Sequence, residues 1–402
     1  MATRPAGAAT TDPGVDGLAG VLAAREIVIT CGSGGVGKTT VAAAAAAMAA
    51  AEMGGRVLVL TIDPARRLAT ALGLEELGNV EVQVPAEAWA ASGVHPRGEL
   101  WAAMLDTKAS WDELVATHAP DDETRDAILE NPLYQNITGR FVQSHDYIAM
   151  ERLYEIHRSG RYDLVVVDTP PTRNAIDFLD APERMADFFS SRLLRWLIAP
   201  ARSRMLTAAS RPFYTIADRI LGSQFLEDIA EFFILFQTMY EGFVERANSV
   251  ARLLGDPRTA FVVVSTLEPA PTREARYFID ELIARDLSLG GVVANKVLPE
   301  SLLRSENQAM ARCLAERRRE VAEHLASQVP ALGDPRQLSR MLGEVGESFA
   351  NFAAVARRES ELRAELARRA GQVVTAPHLE TDVSDLTGLL ALGVDLWGER
   401  SL

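Results

Sequence analysis

Apolar positions along this chain repeat with two different periods. Short apolar runs, several of them β-branched, recur at Ile27–Thr30, Arg56–Thr61, Leu164–Val167, Thr259–Thr266, Gly290–Asn295 and Gln372–Ala376. Runs of this length, bounded by glycine or aspartate, suit strands buried on both faces of a parallel sheet. Between them the spacing lengthens to three and four residues. Val41 leads an almost unbroken alanine run to Ala51, the strongest helix composition available. Trp101, Met104 and Leu105, then Trp111, Leu114 and Val115, then Tyr147, Met150, Leu153, Tyr154 and Ile156 read as helix faces. Further helices are expected over Thr272–Ala284, over Leu302–Arg369 with a break near Val329–Pro335, and over Val383–Leu396. Strands interleaved with helices predict an α/β fold, a doubly wound and mostly parallel sheet. The helical blocks at about 99–160, 183–254 and 302–369 read as insertions within one domain spanning 22–402, and residues 1–21 read as a disordered tail rich in Ala, Thr, Gly and Pro.

Glu183–Leu254 differs in kind. Phe188, Phe189, Leu193, Leu194, Trp196, Leu197 and Ile198 precede Phe225, Leu226, Ile229, Phe232, Phe233, Leu235, Phe236, Met239, Tyr240 and Phe243, with acidic residues between them. These are amphipathic helices. Either they pack on one another and on the sheet, or part of their apolar face forms a groove for an apolar ligand or client helix.

Composition narrows the function classes. A formal net charge of −14 over 402 residues argues against nucleic acid as the main partner. No apolar run reaches the roughly 18 residues of a membrane span, and no signal peptide is evident, so a soluble cytoplasmic protein is expected. Cys31 and Cys313 are too few and too far apart for a disulfide scaffold or a zinc site. His145 reads as structural, and the sequon at Asn136 carries no weight in a cytoplasmic chain.

The chemistry concentrates at strand ends. Gly32-Ser33-Gly34-Gly35-Val36-Gly37-Lys38-Thr39 fits G-x-x-x-x-G-K-[ST] at every fixed position, between a strand and a helix. Glycines let backbone N–H groups point inward at a polyphosphate, and the following helix N-terminus adds partial positive charge. Lys38 would reach the β and γ phosphates of ATP, and the Thr39 hydroxyl would hold Mg²⁺, with Gly34, Gly35, Val36, Gly37 and Thr40 completing the cradle. Asp63 follows the second strand, where it would position the attacking water and lie near the metal; Asp-Pro also opens helices, so an N-cap is the alternative. Asp168 closes Leu164–Val167 in the manner of a Walker B carboxylate, a Mg²⁺ ligand directly or through water, and Thr169-Pro170-Pro171-Thr172-Arg173-Asn174 then suits a switch loop. Asn295, with Lys296 after it, is placed either to bond a purine base or as a simple turn residue.

These motifs in this order resemble the ArsA-type ATPase family: GSGGVGKTT, TIDPARRLATALG, DLVVVDTPPTRNAIDFLDAP, VVANKVLPE and VTAPHLETDVSDLTGL. The family includes arsenite-pump ATPases and ATPases that target tail-anchored membrane proteins, and the likeness runs over about residues 22–398, most of all to its actinobacterial, anion-transporting branch. It implies a SIMIBI-like fold with a deviant Walker A loop, a first switch at Asp63, a second at Asp168, adenine recognition by Asn295 and by backbone near Pro377, and a nucleotide-dependent dimer with a client surface on the helices after the second switch. Three departures bear on those implications. Ser33 stands where the family usually has a second lysine that reaches the partner's nucleotide; a Cys-x-x-Cys zinc motif is missing; and no cysteines stand where the pump branch holds arsenite. The residues therefore lead to an ATP hydrolase that couples nucleotide state to client capture. The alternative is a nucleotide-binding regulatory subunit, completed in a heterodimer by a paralogue that supplies the lysine.

Overall fold

The computed structural model describes residues 17–62, 66–132, 134–135, 142–169, 180, 184, 187, 232, 234–235, 239–329, 331 and 334–397. Their centre is an eight-stranded sheet in the order β3-β4-β2-β5-β1-β6-β7-β8. The strands are β1 (Ile27–Cys31), β2 (Arg56–Thr61), β3 (Val82–Gln83), β4 (Glu99–Met104), β5 (Leu164–Asp168), β6 (Thr259–Thr266), β7 (Leu289–Val297) and β8 (Val373–Pro377). Every neighbouring pair is parallel except β3 with β4. The expected doubly wound α/β sheet is therefore present, with helices on both faces.

Alternation along β1 shows how the two faces divide. Ile27, Ile29 and Cys31 point into a layer with the helices Thr107–His118, Val142–Arg158, Tyr240–Leu254 and Pro269–Ala284. Val28 points into the opposite layer, with the helices Lys38–Glu52 and Leu386–Trp397. The alanine run is buried from Ala42 to Ala51. A Cβ on Gly393 of the second helix would lie 2.2 Å from the Met48 side chain and 3.1 Å from the Ala44 carbonyl, so the two helices meet through their smallest residues.

Two expectations need correction. Glu99–Met104, placed in a helical block, is strand β4 between β2 and β3. Its apolar residues also satisfy a three-residue spacing, and six residues are too few to separate the two periods. Leu18–Ala23, which begins inside the segment read as a tail, is a short helix, with Leu18 and Leu22 buried in the second layer; residues 1–16 lie outside the described residues. The two-residue strand β3 had no sequence reading. In the 302–369 block the structure has helices Ser305–Glu316, Arg318–Gln328 and Pro335–Ala370, the last capped by the Asp334 carboxylate. Of the block at 183–254, helix Tyr240–Leu254 is described, while Phe188–Ile198 and Phe225–Ile229 lie outside the described residues.

One cluster under the first layer carries a pH dependence. The Tyr147 hydroxyl donates to Glu151, and Arg246 lies 2.9 Å from the same buried carboxylate. His118, Glu151 and Glu155 bring three possible ligand atoms within 4.8 Å of one another. Arg246 on Glu151 and Arg152 at 3.3 Å from Glu155 already neutralise both carboxylates, so the cluster is an ion-pair network. Burial, then the charges of Arg246 and Arg158, lower the His118 pKa from 6.5 to about 4. A histidine depressed in the folded state is protonated more readily in the unfolded chain. Stability is therefore full above about pH 6.5 and is lost as pH falls toward about 4. Burial raises Glu151, which titrates with the opposite sign and gains stability on protonation. His118→Gln is expected to flatten the acid-side fall in melting temperature between these limits; an unchanged slope would remove His118 as its source.

Candidate functional site

The site grows out of the C-terminal ends of the central strands. Register sets Thr30 of β1, Asp168 of β5 and Thr61 of β2 side by side. Asp168 is fully buried, and its Oδ2 accepts from the Thr39 hydroxyl at 2.6 Å and the Thr61 hydroxyl at 3.0 Å. Thr30 donates to the Val167 carbonyl at 3.0 Å, and the Thr169 hydroxyl donates back to the Thr30 carbonyl at 2.8 Å. Threonine stands next to last in β1, ends β2 and follows β5, and these hydroxyls tie the three strand ends together. Two of the three residues read from sequence as metal-site residues, Thr39 and Asp168, thus meet directly across 129 positions of chain, while the third, Asp63, lies outside the described residues.

The glycine loop is shaped by what surrounds it. Gly32 has φ 150°, and a Cβ there would lie 2.1 Å from the Val264 carbonyl oxygen of β6. Gly37 has φ 93° and caps the helix Lys38–Glu52; a Cβ there would lie 2.3 Å from the Asn295 amide nitrogen. Only glycine meets both demands, left-handed backbone and close approach. Lys38 is buried and folds back to donate to the Ser33 carbonyl at 3.0 Å. Gly34 and Gly35 are exposed at the loop apex, Val36 is buried, and Thr40 sits in the first helical turn. The Ser33 hydroxyl is buried with no hydrogen-bond partner.

Asn295 is also brought here, and it grips the loop. Its amide donates to the Val36 carbonyl at 2.8 Å, and its Oδ1 accepts from the Lys296 backbone N–H at 2.9 Å. One amide hydrogen is thus committed to the loop. Pro377 is exposed at the end of β8 and pairs with Val297 of β7. Asp63 and Pro170–Asn174 lie outside the described residues, as does the His145 side chain.

Missed in the sequence were the strand-end threonines and Lys296. Thr30, Thr61 and Thr169 all stand at or beside the end of an apolar run, where a hydroxyl can satisfy backbone that leaves the sheet. Cys31 is buried, its thiol donating to the Val262 carbonyl at 3.5 Å. Burial pushes its pKa well up, only partly countered by Lys38, so it stays a protonated thiol. Cys313 is free as well.

The buried carboxylate beside a helix-start hydroxyl fits a hard divalent cation, and the glycine loop at a helix N-terminus fits a polyphosphate. Together with the sheet they define a P-loop α/β protein. More narrowly, the chain belongs to the anion-transporting ATPase family, whose model matches residues 25–331. An uncharacterized protein of Streptomyces coelicolor is 30% identical over 69% of this chain and 63% of its own length. A protein of Aquifex aeolicus, named among the arsenical pump-driving ATPases, is 24% identical over 70% of this chain and 66% of its own. The ATPase GET3 of Kluyveromyces lactis is 24% identical over 72% of this chain and 76% of its own. The matches thus span slightly less than two thirds of the first two relatives. Among the described residues, no helix is long and apolar enough to cross a membrane.

Proposed function

We propose that this chain binds and hydrolyses Mg–ATP and couples the nucleotide state to capture of a client. The observation that carries this reading is the 2.6 Å bond between Thr39 and the buried Asp168 at the mouth of the glycine loop. Loop N–H groups and Lys38 hold the phosphates, and Lys38 exchanges the Ser33 carbonyl for phosphate oxygens. Thr39 and Asp168 hold Mg²⁺, which when bound neutralises charge on the transferring phosphoryl group. Asp63 orients the attacking water, and Asn295 with the backbone near Pro377 lines the base. The protein works in the cytoplasm as a dimer, with an apolar client at the helices of 183–254. Family membership and the names of the relatives support the ATPase part of this reading. Arsenite is not favoured as cargo, because one cysteine is buried beneath the loop and the other lies on helix Ser305–Glu316.

Steady-state hydrolysis across protein concentration, with Lys38→Ala as the inactive reference, tests the activity. Turnover that rises more than linearly is expected for a dimer; turnover equal in the variant would reject the site. Asp63→Asn is expected to lower turnover by roughly a hundredfold or more while ATP binding stays within a few-fold. Turnover equal to wild type would assign Asp63 to the cap instead, since asparagine caps a helix as well as aspartate does.

One observation favours a second reading. The partnerless Ser33 hydroxyl leaves that position neutral, consistent with a regulatory subunit whose paralogous partner brings the second lysine. ATP binding with negligible turnover alone, and turnover restored by a co-purifying paralogue, is what that reading requires. Brisk turnover by the isolated chain excludes it.

A further inference from the structure

Two lysines, not one, rest on the glycine loop. Lys38 donates to the Ser33 carbonyl, and Lys296 places its ammonium 3.4 Å from the Gly35 carbonyl at the exposed apex. Lys296 is held there at a conformational cost. Its φ is 60°, one of two non-glycine residues in the left-handed region among the described residues, the other being Asp286. Aspartate tolerates that region through its short polar side chain, whereas lysine has no such compensation. The conformation falls where the register of β7 against β8 shifts between Ala294 and Val297, and Asn295 ties this point to the loop. That side chain accepts from the Lys296 N–H with its oxygen and donates to the Val36 carbonyl with its nitrogen. The strained residue is therefore locked to the loop through its neighbour, and its side chain reaches the same loop directly. A backbone outlier maintained beside a site is a pointer to function.

We propose that Lys296 is a second polyphosphate-binding cation of this loop, supplied within the same chain. A carbonyl oxygen is a weak partner for an ammonium compared with a phosphate oxygen, which carries formal charge. Lys296 is exposed and unbranched, so it is free to leave Gly35 for an anion lying on the loop. Ser33 contributes no charge, and Lys296 provides positive charge at the loop apex without a partner chain. The ligand class is a nucleoside di- or triphosphate; a nucleoside monophosphate would gain little. This inference rests on the nucleotide reading of the loop, and it adds a residue that reading does not use.

The test is competition against a fluorescent ATP analogue by ATP, ADP and AMP, with purified wild-type chain, Lys38→Ala, Lys296→Asn and Lys296→Arg. Asparagine accepts the left-handed backbone, so Lys296→Asn removes the charge without forcing the turn to rearrange. The ligand-free melting temperatures of the two Lys296 variants check the fold. Lys296→Asn is expected to weaken ATP and ADP binding about tenfold, the low end for a charge-assisted hydrogen bond, and to leave AMP within a factor of about two. Lys296→Arg is expected to restore ATP affinity to within about threefold of wild type. Equal losses for ATP and AMP, or no loss at all while Lys38→Ala loses ATP, would overturn the role of Lys296 and leave the nucleotide reading intact. A wild-type chain that does not bind the analogue, or binds it as well as Lys38→Ala does, would overturn the nucleotide reading and this inference with it.

Discussion

Asp168→Ala is expected to reduce ATP turnover by roughly a hundred- to a thousandfold, the equivalent of about 3–4 kcal/mol of lost metal-assisted stabilisation. Asp168 is fully buried at the end of a central strand, and one of its oxygens receives both Thr39 and Thr61. Removing the carboxylate takes away a proposed metal ligand and frees the Thr39 hydroxyl from its bond to Oδ2. The loss should therefore appear mainly in the Mg²⁺ requirement. Titration of Mg²⁺ at fixed ATP separates the two contributions. A variant that regains wild-type turnover at high Mg²⁺ has lost metal affinity alone. One that stays inactive at saturation has also lost the placement of Thr39. Full activity at ordinary Mg²⁺ would mean that the metal sits elsewhere. The isolated effect on stability should be smaller in comparison, since alanine also removes the cost of burying a charge.

Gly32→Ala is expected to cost roughly 3 kcal/mol or more of folding stability, far beyond an ordinary loop substitution. Two penalties combine there. At φ 150° the backbone occupies a region that residues with a Cβ avoid, and the added carbon would lie 2.1 Å from the Val264 carbonyl. Val264 is fully buried in β6, hydrogen-bonded between β1 and β7, so neither partner has room to retreat. Gly35 provides the control. Its φ is 79°, but a Cβ there would meet nothing within 4 Å, so Gly35→Ala carries the backbone strain alone, about 1–2 kcal/mol. Chemical denaturation of both variants measures the difference. Equal stabilities would show that the loop can shift away from β6 and that close approach is not what demands glycine at position 32.

The loop at Gly32–Thr39 was legible because its chemistry is local: a strand, a glycine turn, a lysine and a helix start are contiguous. Asp168 was legible for a related reason, since four apolar residues ending in a carboxylate mark the edge of a buried strand. Asn295 was legible only as a candidate. Its grip on Val36 joins residues 259 positions apart and left no mark in the local pattern. Lys296 was invisible as a loop residue for the same reason, because its contact with Gly35 spans 261 positions and its backbone follows a register shift between β7 and β8. Strand β4 was misread because its six residues fit both periods, and only pairing with β2 on one side and β3 on the other chose between them. The short helix Leu18–Ala23 was lost in a composition that reads as tail; Leu18 and Leu22 gain order by burial against distant elements.

The alanine run divides the two kinds of information most clearly. By itself the sequence determined that residues after Lys38 form a helix, since alanine loses the least side-chain entropy there. It also determined the strand alternation, the phosphate-type loop and the sign of the net charge, all of which depend on near neighbours or simple sums. The tertiary structure decided why alanine, and not leucine, fills that helix: the sheet lies on one side and Leu386–Trp397 with Gly393 presses on the other. It likewise decided which strand ends stand level, so that Thr39, Thr61 and Asp168 share one oxygen. Such contacts join segments more than a hundred residues apart, and their geometry follows from the packing of the whole sheet, which no local pattern encodes.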